Sequence, residues 1–357
     1  MARLIIYAGF HKTGTSAIQA AFRKQAPALQ ATGIYYPSGF GKHAQHILAK
    51  ISAANTQEKR FRAIKRLTKR HETVLLASEF FSEQNAQDIS ALKSALGPGV
   101  NVEVIFSYRR IEEIVPSQYQ QFIRTGYGED LATFSKAILE RDQSHHEAKL
   151  FWRRHAVSRI LADWANAFGA KNVHLVNVDR LNPEFLTSWF ESFLGLDPGT
   201  LDQIAESRMN RSLDLEEITF VKTLLSLLPP ERIAKEWKLI FRDKMIAEIA
   251  SRPSSNPSSR KISLKADHKN QFEQISNQVR SEISQLGINV HGHIMEAEKG
   301  DRTSDQTLPT TIHIDTVARA IVAVRPEHHL RQASVREMAR EIWYRVLRRL
   351  RGIFPKN

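Results

Sequence analysis

A short run of residues near the N-terminus combines glycine, lysine and hydroxyl side chains in a pattern suited to binding an anion. The octapeptide Gly9–Ser16, GFHKTGTS, follows the apolar run Leu4–Ala8 and leads into a helical pattern. A glycine-bearing turn between a strand and a helix lets backbone N–H groups and the helix N-terminus face an anion. Lys12 adds a positive charge, and Thr15 and Ser16 add hydroxyl donors. The segment therefore predicts a loop that binds a phosphate or a similar group.

The position of the lysine separates this loop from the loop of nucleoside triphosphatases. In the P-loop pattern the lysine directly follows the second glycine, but here Thr15 takes that place and Lys12 precedes Gly14. A kinase also needs an acidic strand end to hold magnesium, and none is evident. A P-loop-type nucleotide kinase or phosphotransferase stays as an alternative, weakened by both observations.

A second pair of residues could bind a phosphate further along the chain. Ser107-Tyr108-Arg109-Arg110 ends an apolar run, and Ser117 follows Arg109 by eight positions, 117 − 109 = 8. This spacing places the arginine at the end of a strand and the serine about two turns into the next helix. The guanidinium can bind a phosphate with forked hydrogen bonds, and the serine hydroxyl can bind the same group.

Short apolar runs and helical patterns alternate through the first two-thirds of the chain. The predicted strands are Leu4–Ala8, Thr73–Ala77, Val102–Ser107 and Asn172–Val178, and the predicted helices include residues 16–30, 112–124 and 159–168. Such alternation predicts an α/β fold with a P-loop-like parallel sheet flanked by helices. Ligands of these sheets bind at the carboxyl ends of the strands, which is where both candidate phosphate motifs lie.

These motifs together resemble the sulfotransferase superfamily that uses 3′-phosphoadenosine 5′-phosphosulfate (PAPS). The loop of that family has the pattern Lys-x-Gly-Thr-Thr or Lys-x-Gly-Thr-Ser, and this chain is similar to a bacterial branch that opens with His-Lys-Thr-Gly-Thr. A weaker similarity extends from Leu161 to Leu196. The resemblance as a whole covers roughly residues 1–215. It implies the sulfotransferase fold and PAPS, or its product 3′-phosphoadenosine 5′-phosphate (PAP), as the cofactor, with no metal. The cofactor-binding residues that it implies are His11, Lys12, Thr13, Gly14, Thr15, Ser16, Arg109 and Ser117, with Asn210 and Arg211 in a cofactor-side loop.

The resemblance also implies the catalytic groups of sulfuryl transfer. Lys12 would stabilise the leaving phosphate, and a histidine or a glutamate would take the proton of the acceptor. Glu79, directly after the strand Thr73–Ala77, and His46 are equal candidates for this base, with His43 behind them. The two histidines do not predict a metal site, because no third ligand at zinc spacing accompanies them.

The chain beyond residue 215 has a different character. We predict an α/β core over 1–215, a helical extension packed on it over 216–299, and a linker with a basic amphipathic tail helix over 300–357. The tail helix, from about Ser334 to Ile353, could contact an anionic membrane or pack on the core. A membrane contact would suit a glycan or lipid-linked acceptor, although the sequence leaves the acceptor unidentified.

Composition limits the remaining classes of protein. The 357 residues include no cysteine, which excludes disulfides and thiolate metal sites. The formal net charge of +13 suits an anionic partner, but a nucleic-acid-binding protein is only an alternative, because aromatic and basic residues do not interleave in a recognisable module. A non-catalytic relative that keeps the cofactor loop is a further alternative. Without a signal peptide or a run of about 20 apolar residues, we expect a cytoplasmic protein, with possible peripheral binding at the inner face of the membrane.

Overall fold

The computed structural model describes residues 2–37, 48–49, 57–178, 182, 184–201, 211–228, 237–251, 260–292, 316–317, 320–321 and 323. The strands are β1 (Ala2–Tyr7), β2 (Ile34–Tyr35), β3 (Thr73–Ala77), β4 (Val100–Tyr108), β5 (Val173–Asn177) and β6 (Asn289–His291). The helices of the N-terminal half are α1 (Thr15–Lys24), α2 (Ala26–Ala31), α3 (Gln57–Arg70), α4 (Ala86–Leu96), α5 (Ile111–Arg124), α6 (Leu131–Leu139), α7 (His146–His155) and α8 (Val157–Phe168). The later helices are α9 (Phe185–Leu194), α10 (Leu215–Leu227), a π-helical segment Trp237–Ile246, α11 (Ala247–Ser251) and α12 (Ala266–Gln285).

The six strands form one sheet in the order β2-β3-β1-β4-β5-β6, and every neighbouring pair is parallel. Parallel strands need a crossover between them, and the helices that make these crossovers cover the two faces of the sheet. Leu4, Ile5, Ile6 and Tyr7 are accordingly all fully buried in β1. The predicted α/β fold with a parallel sheet flanked by helices is confirmed.

Successive side chains of a strand point to opposite faces, and each face of this sheet has its own aromatic core. Tyr7 lies edge to face with Phe22 of α1 and Phe190 of α9, at centroid distances of 6.4 and 4.8 Å. On the other face Phe106 of β4 packs against Trp164 of α8, with the ring centroids 6.4 Å apart. The strands that carry the candidate site are therefore held rigidly by packing on both faces.

The four strands predicted from the sequence are present, with ends shifted by at most two residues. Two further strands, β2 and β6, have only two and three residues and were not among those predicted. Strands this short carry too little alternation of polar and apolar residues to be recognised, and β6 contains asparagine and histidine.

The chain divides into two compact units. The first comprises Met1–Tyr119, Glu129–Ser207 and Ser263–Gln306, and the second comprises Gln120–Gly128, Arg208–Ile262 and Thr307–Asn357. The first unit contains the whole sheet, including β6, which pairs with β5. The predicted tail helix lies outside the described residues.

Candidate functional site

The order of the strands brings three predicted loops to one edge of the sheet. The chain first leaves β1 towards the β3 side and later returns to the β4 side, so β1 lies at the point where the strand order reverses. Ligands of open parallel sheets bind at this point, beyond the carboxyl ends of the strands. The octapeptide loop follows β1, Glu79 follows β3 and Arg109 follows β4. The backbone N–H of Ser78 donates to Tyr7 O at 3.0 Å and that of Phe10 to Ser107 O at 3.3 Å, which continues the strand pairing into the loops.

The loop after β1 is built from left-handed backbone conformations. Gly9, Lys12 and Gly14 have φ values of 44°, 66° and 84°. A side chain at Gly9 would place its Cβ 2.1 Å from Thr15 Cγ2, so glycine is required there. Lys12 adopts the left-handed region with a full side chain, a conformation that costs of order 1–3 kcal/mol and clusters at functional sites. Gly14 is the N-cap of α1 and has no side chain to cap it, so no N-cap side chain competes with an anion for the N–H groups of the first turn.

A buried line of hydroxyl groups fixes this loop to β4. The Thr13 hydroxyl donates to Phe10 O at 2.6 Å and lies 2.6 Å from Ser107 Oγ, which in turn lies 2.9 Å from the Tyr7 hydroxyl. Each hydroxyl has one hydrogen, so Tyr7 must donate to Ser107, and Ser107 to Thr13. Thr13, predicted as a cofactor contact, thus uses its fully buried side chain to hold the loop. Burial, opposed by the Ser107 bond, raises the pKa of Tyr7 and keeps its proton in this line.

Arg109 joins the second phosphate motif to the first. Its Nη1 donates to the backbone oxygen of Lys12 at 3.1 Å, and its Nη2 donates to Glu113 Oε2 at 3.0 Å. The neighbouring Arg110 is buried and paired with Glu112, which accepts from Ser276 Oγ at 2.5 Å. Arg109 thus contacts the loop, whereas Arg110 pairs with Glu112; that Arg109 binds a 3′-phosphate together with Ser117 stays a prediction.

Ser117 lies six residues into α5, 117 − 111 = 6, and is half-buried. Ser16, the other predicted hydroxyl contact, is exposed in the first turn of α1, whereas Thr15 beside it is buried. The exposed Ser16 is thus the hydroxyl of this pair that an anion in solution can approach.

Glu79 also lies at this edge, in a short 3₁₀ turn over Glu79–Glu83. The turn begins directly after β3 because Ser78 caps it, its Oγ accepting from Phe80 N at 3.3 Å. The Glu79 carboxylate accepts a hydrogen bond from Gln19 Nε2 of α1 at 2.8 Å. One of the three predicted bases is therefore held beside α1, which follows the predicted anion-binding loop, by a neutral donor.

His11 points from the loop to the other end of this turn. Its Nε2 lies 2.8 Å from Glu83 Oε1, and Glu83 also pairs with Arg153 at 2.7 Å and Arg154 at 2.9 Å on α7. Burial would raise the pKa of Glu83, but His11 and the two arginines outweigh it and hold that pKa at about 2. Burial lowers the pKa of His11 despite Glu83, so this histidine, predicted as a cofactor contact, is a neutral anchor of the loop.

Arg211 belongs to the second unit and is engaged there. Its Nη1 and Nη2 donate to the two carboxylate oxygens of Glu217 at 2.7 and 2.5 Å, and Nη2 donates to Ile249 O at 2.8 Å. Glu217 is 1% exposed and also completes the capping box of α10 with Asp214. These contacts give Arg211 a structural role within its unit. Asn210, His43 and His46 lie outside the described residues.

Sequence reasoning assigned no role to Gln19, Ser107, Glu83 or Glu113. Ser107 gave a signal, since it is a polar residue that directly follows the apolar run Val104–Phe106 in β4. Glu113 gave another, because an acidic residue in the first turn of a predicted helix, four positions after an arginine that lies just before the helix, can form an ion pair with it. The role of Gln19 depends on a contact with a residue 60 positions away, which no local pattern reveals.

The fold and the site define an α/β protein with a glycine-turn loop at the strand-order reversal of a parallel sheet. No protein-family model and no curated protein matches the chain. Among solved structures, a sulfotransferase from Alicyclobacillus acidocaldarius is similar, with a TM-score of 0.38 and 18% identity over 66% of this chain and 98% of that chain. At this TM-score and identity, the likeness adds nothing to the assignment of the site.

Within the described ranges, no group of three or more histidine, aspartate or glutamate side chains is arranged to hold a metal ion. None of the helices in the same ranges is long and apolar enough to cross a membrane.

Proposed function

We propose that this protein is a sulfotransferase that transfers a sulfuryl group from PAPS to a hydroxyl or amine of a glycan, lipid-linked or small-molecule acceptor. The observation that carries the proposal is the hydrogen bond from Arg109 Nη1 to the backbone oxygen of Lys12. It joins two motifs 97 residues apart, one suited to a 5′-phosphosulfate and the other to a 3′-phosphate. A nucleotide with phosphates at both positions is the ligand that such a pair would select.

The chemistry of the donor set fits this nucleotide. The left-handed loop, the uncapped start of α1 and the Lys12 ammonium group would bind the 5′ anion through N–H donors and charge. Arg109 and Ser117 would bind the 3′-phosphate through forked and single hydrogen bonds. Two separate anion sites distinguish this arrangement from the single phosphate cradle of a P-loop kinase.

The chain's own residues would then do three things in the reaction. PAPS supplies a sulfuryl group activated by its bond to the 5′-phosphate. Glu79 would take the acceptor proton as the acceptor oxygen or nitrogen bonds to sulfur, with Gln19 orienting the carboxylate. Lys12 would stabilise the electron pair that passes to the 5′-phosphate when its bond to sulfur breaks. His46 and His43 remain the alternative bases.

Thermal stabilisation by PAP tests the cofactor. A ligand that binds only the folded state at 100 times its Kd adds about 2.7 kcal/mol to the free energy of unfolding. We expect PAP to raise the Tm by several degrees, with a smaller rise for AMP or for ATP with magnesium. Arg109→Ala and Lys12→Ala should abolish most of the rise, while Lys93→Ala, an exposed lysine on α4, should retain it.

A larger stabilisation by ATP and magnesium than by PAP would overturn the proposal in favour of the kinase. Stabilisation by PAP together with no sulfuryl transfer to any acceptor in a broad panel would favour the non-catalytic relative.

A further inference from the structure

The edge of Arg109 that is suited to a phosphate already carries a carboxylate. Arg109 Nε and Nη2 donate to the same oxygen, Glu113 Oε2, at 3.3 and 3.0 Å. These two nitrogens form one side of the guanidinium fork, the side that grips an oxyanion with parallel hydrogen bonds. Glu113 therefore occupies positions that a bound phosphate would need.

Arg109 has a second anchor that does not depend on Glu113. Its Nη1 donates to Lys12 O at 3.1 Å, on the loop of the other phosphate motif. The Arg109 side chain is 14% exposed and that of Glu113 is 33% exposed. The arginine is thus the more buried member of this ion pair, and the carboxylate is the member more accessible to solvent.

We propose that Glu113 is a displaceable counterion that competes with the 3′-phosphate for Arg109 and thereby limits the affinity for PAP and hastens its release. This inference rests on the proposed function, because it concerns the same arginine. Glu113 is a positioning and selectivity residue here, since it acts on the nucleotide through Arg109.

Two effects of Glu113 on nucleotide binding oppose each other, and their sizes decide the outcome. The carboxylate helps to orient Arg109, but a partly exposed ion pair between residues i and i+4 contributes little, and the Lys12 bond would remain without it. The carboxylate also repels a phosphate that carries up to two negative charges, at close range and in a partly buried setting where charges interact more strongly than in water. Removal of the charge should therefore strengthen PAP binding.

The same competition would favour nucleotides with a 3′-phosphate. A nucleotide with a 3′-hydroxyl has no charge at the 3′ position with which to displace Glu113. Arg109 would then stay paired with Glu113 and contribute little to the binding of that nucleotide. Only a doubly charged group with several acceptor oxygens would interact with Arg109 strongly enough to compensate for the loss of the Arg109–Glu113 ion pair. Glu113 would thus make Arg109 selective for nucleotides that carry a 3′-phosphate.

The test is PAP binding by the full-length chain, measured by calorimetry and by stopped-flow release. We expect Glu113→Gln to bind PAP about tenfold more tightly, which corresponds to about 1.4 kcal/mol, with most of the gain in a slower release. The affinity for AMP should change less than twofold. Glu140→Gln is the matched control, because Glu140 pairs with Lys136 at i and i+4 on an exposed stretch elsewhere in the first unit. Its PAP affinity should equal that of the wild type.

Two different failures can be told apart. If the wild type binds PAP through Arg109 but Glu113→Gln binds it equally or more weakly, the counterion proposal is wrong and the proposed function stands. If the wild type does not bind PAP, the proposed function itself fails. Glu113→Asp retains the charge with a shorter reach and guards against a folding artefact: its PAP affinity should lie between those of the wild type and Glu113→Gln.

Discussion

Arg109 and Arg211 are both followed by polar or charged neighbours in the sequence and were both predicted to bind the cofactor, yet the structure uses them differently. Arg109 lies at the carboxyl edge of the sheet and donates to the backbone of the predicted anion-binding loop. Arg211 lies in the second unit and forms a forked ion pair with Glu217, which is 1% exposed. The burial of the carboxylate makes the difference, because a buried charge must be paired, whereas the Glu113 side chain is 33% exposed and, as we propose, would release Arg109 to a ligand.

Loss of the candidate base Glu79 should produce the largest effect on activity. It should change the reaction at the site near Arg109 and leave the contacts of Arg211 unchanged. Glu79→Gln should lower the rate of sulfuryl transfer about 10²- to 10⁴-fold, because general base catalysis contributes about this much. PAP affinity should stay within a few-fold, since the Glu79→Gln side chain keeps its shape and an oxygen that can accept the hydrogen bond from Gln19 Nε2. Rates are to be measured with the acceptor that the wild-type chain sulfates.

His46→Ala is the parallel variant for this experiment. Full activity in Glu79→Gln together with a collapse in His46→Ala would transfer the role of base to the histidine.

Removal of the Arg211 side chain should affect folding and not binding. Arg211→Ala leaves Glu217 buried without its forked partner, and breaking a buried ion pair in this way costs about 3–5 kcal/mol. We expect a lower free energy of unfolding in urea and an unchanged Kd for PAP at a temperature where the variant is folded. Arg109→Ala should show the reverse, with PAP binding weakened about 10- to 100-fold, as the loss of charged hydrogen bonds implies, and stability close to that of the wild type.

The double variant Arg211→Ala with Glu217→Gln should recover part of the lost stability, since it removes the unpaired charge as well. If the Arg211→Ala variant binds PAP more weakly under conditions where it is fully folded, the proposed difference between the two arginines is wrong. Arg211 would then be a cofactor-binding residue, as predicted from the sequence.

A substitution in the buried line of hydroxyl groups that anchors the loop should have an intermediate effect on stability and on PAP binding. Thr13→Val keeps the side-chain volume but leaves the Ser107 hydroxyl and the Phe10 carbonyl without their partner. An unsatisfied buried group costs about 1–3 kcal/mol, so stability should fall by about this amount. Because the loop also loses its anchor, PAP affinity should fall as well, which calorimetry can measure; Thr13→Ser should restore both.

Acidification should produce a graded loss of stability that originates near His11 and not near Arg211. Burial lowers the pKa of His155 well below 6.5, with the neighbouring His11 and Arg154 acting in the same direction, and burial also lowers the pKa of His11. The unfolded chain therefore takes up protons on these histidines at a higher pH than the folded chain, and stability falls as the pH drops below about 6.5.

Glu83 adds a second step to this acid loss. Its pKa lies at about 2 in the folded chain against 4.5 for the free side chain, so its stabilisation is present above pH 4.5 and is lost as the pH falls towards 2. His155→Phe should flatten the first part of the curve and Glu83→Gln the second, as followed by urea unfolding at each pH. An unchanged pH profile in both variants would show that the acid loss arises elsewhere.

Local patterns were enough to predict the elements that carry the site. An apolar run followed by glycine and lysine predicts β1 and its loop, and the helical pattern after Tyr108 predicts α5, because strand and helix preferences act over neighbouring residues. The eight-residue interval also selected Arg109 over Arg110, and the structure buries Arg110 against Glu112.

Long-range partners were beyond these patterns. The sequence shows Gln19 and Glu79, Thr13 and Ser107, and His11 and Glu83 as separate residues, and only folding brings each pair within hydrogen-bond distance. The order of the strands decides these encounters, since it places the ends of β3, β1 and β4 side by side. Residue type and spacing determined which groups could bind an anion, whereas burial and the partners supplied by distant segments decided that Arg109 lies at the loop and that Arg211 stabilises its own unit.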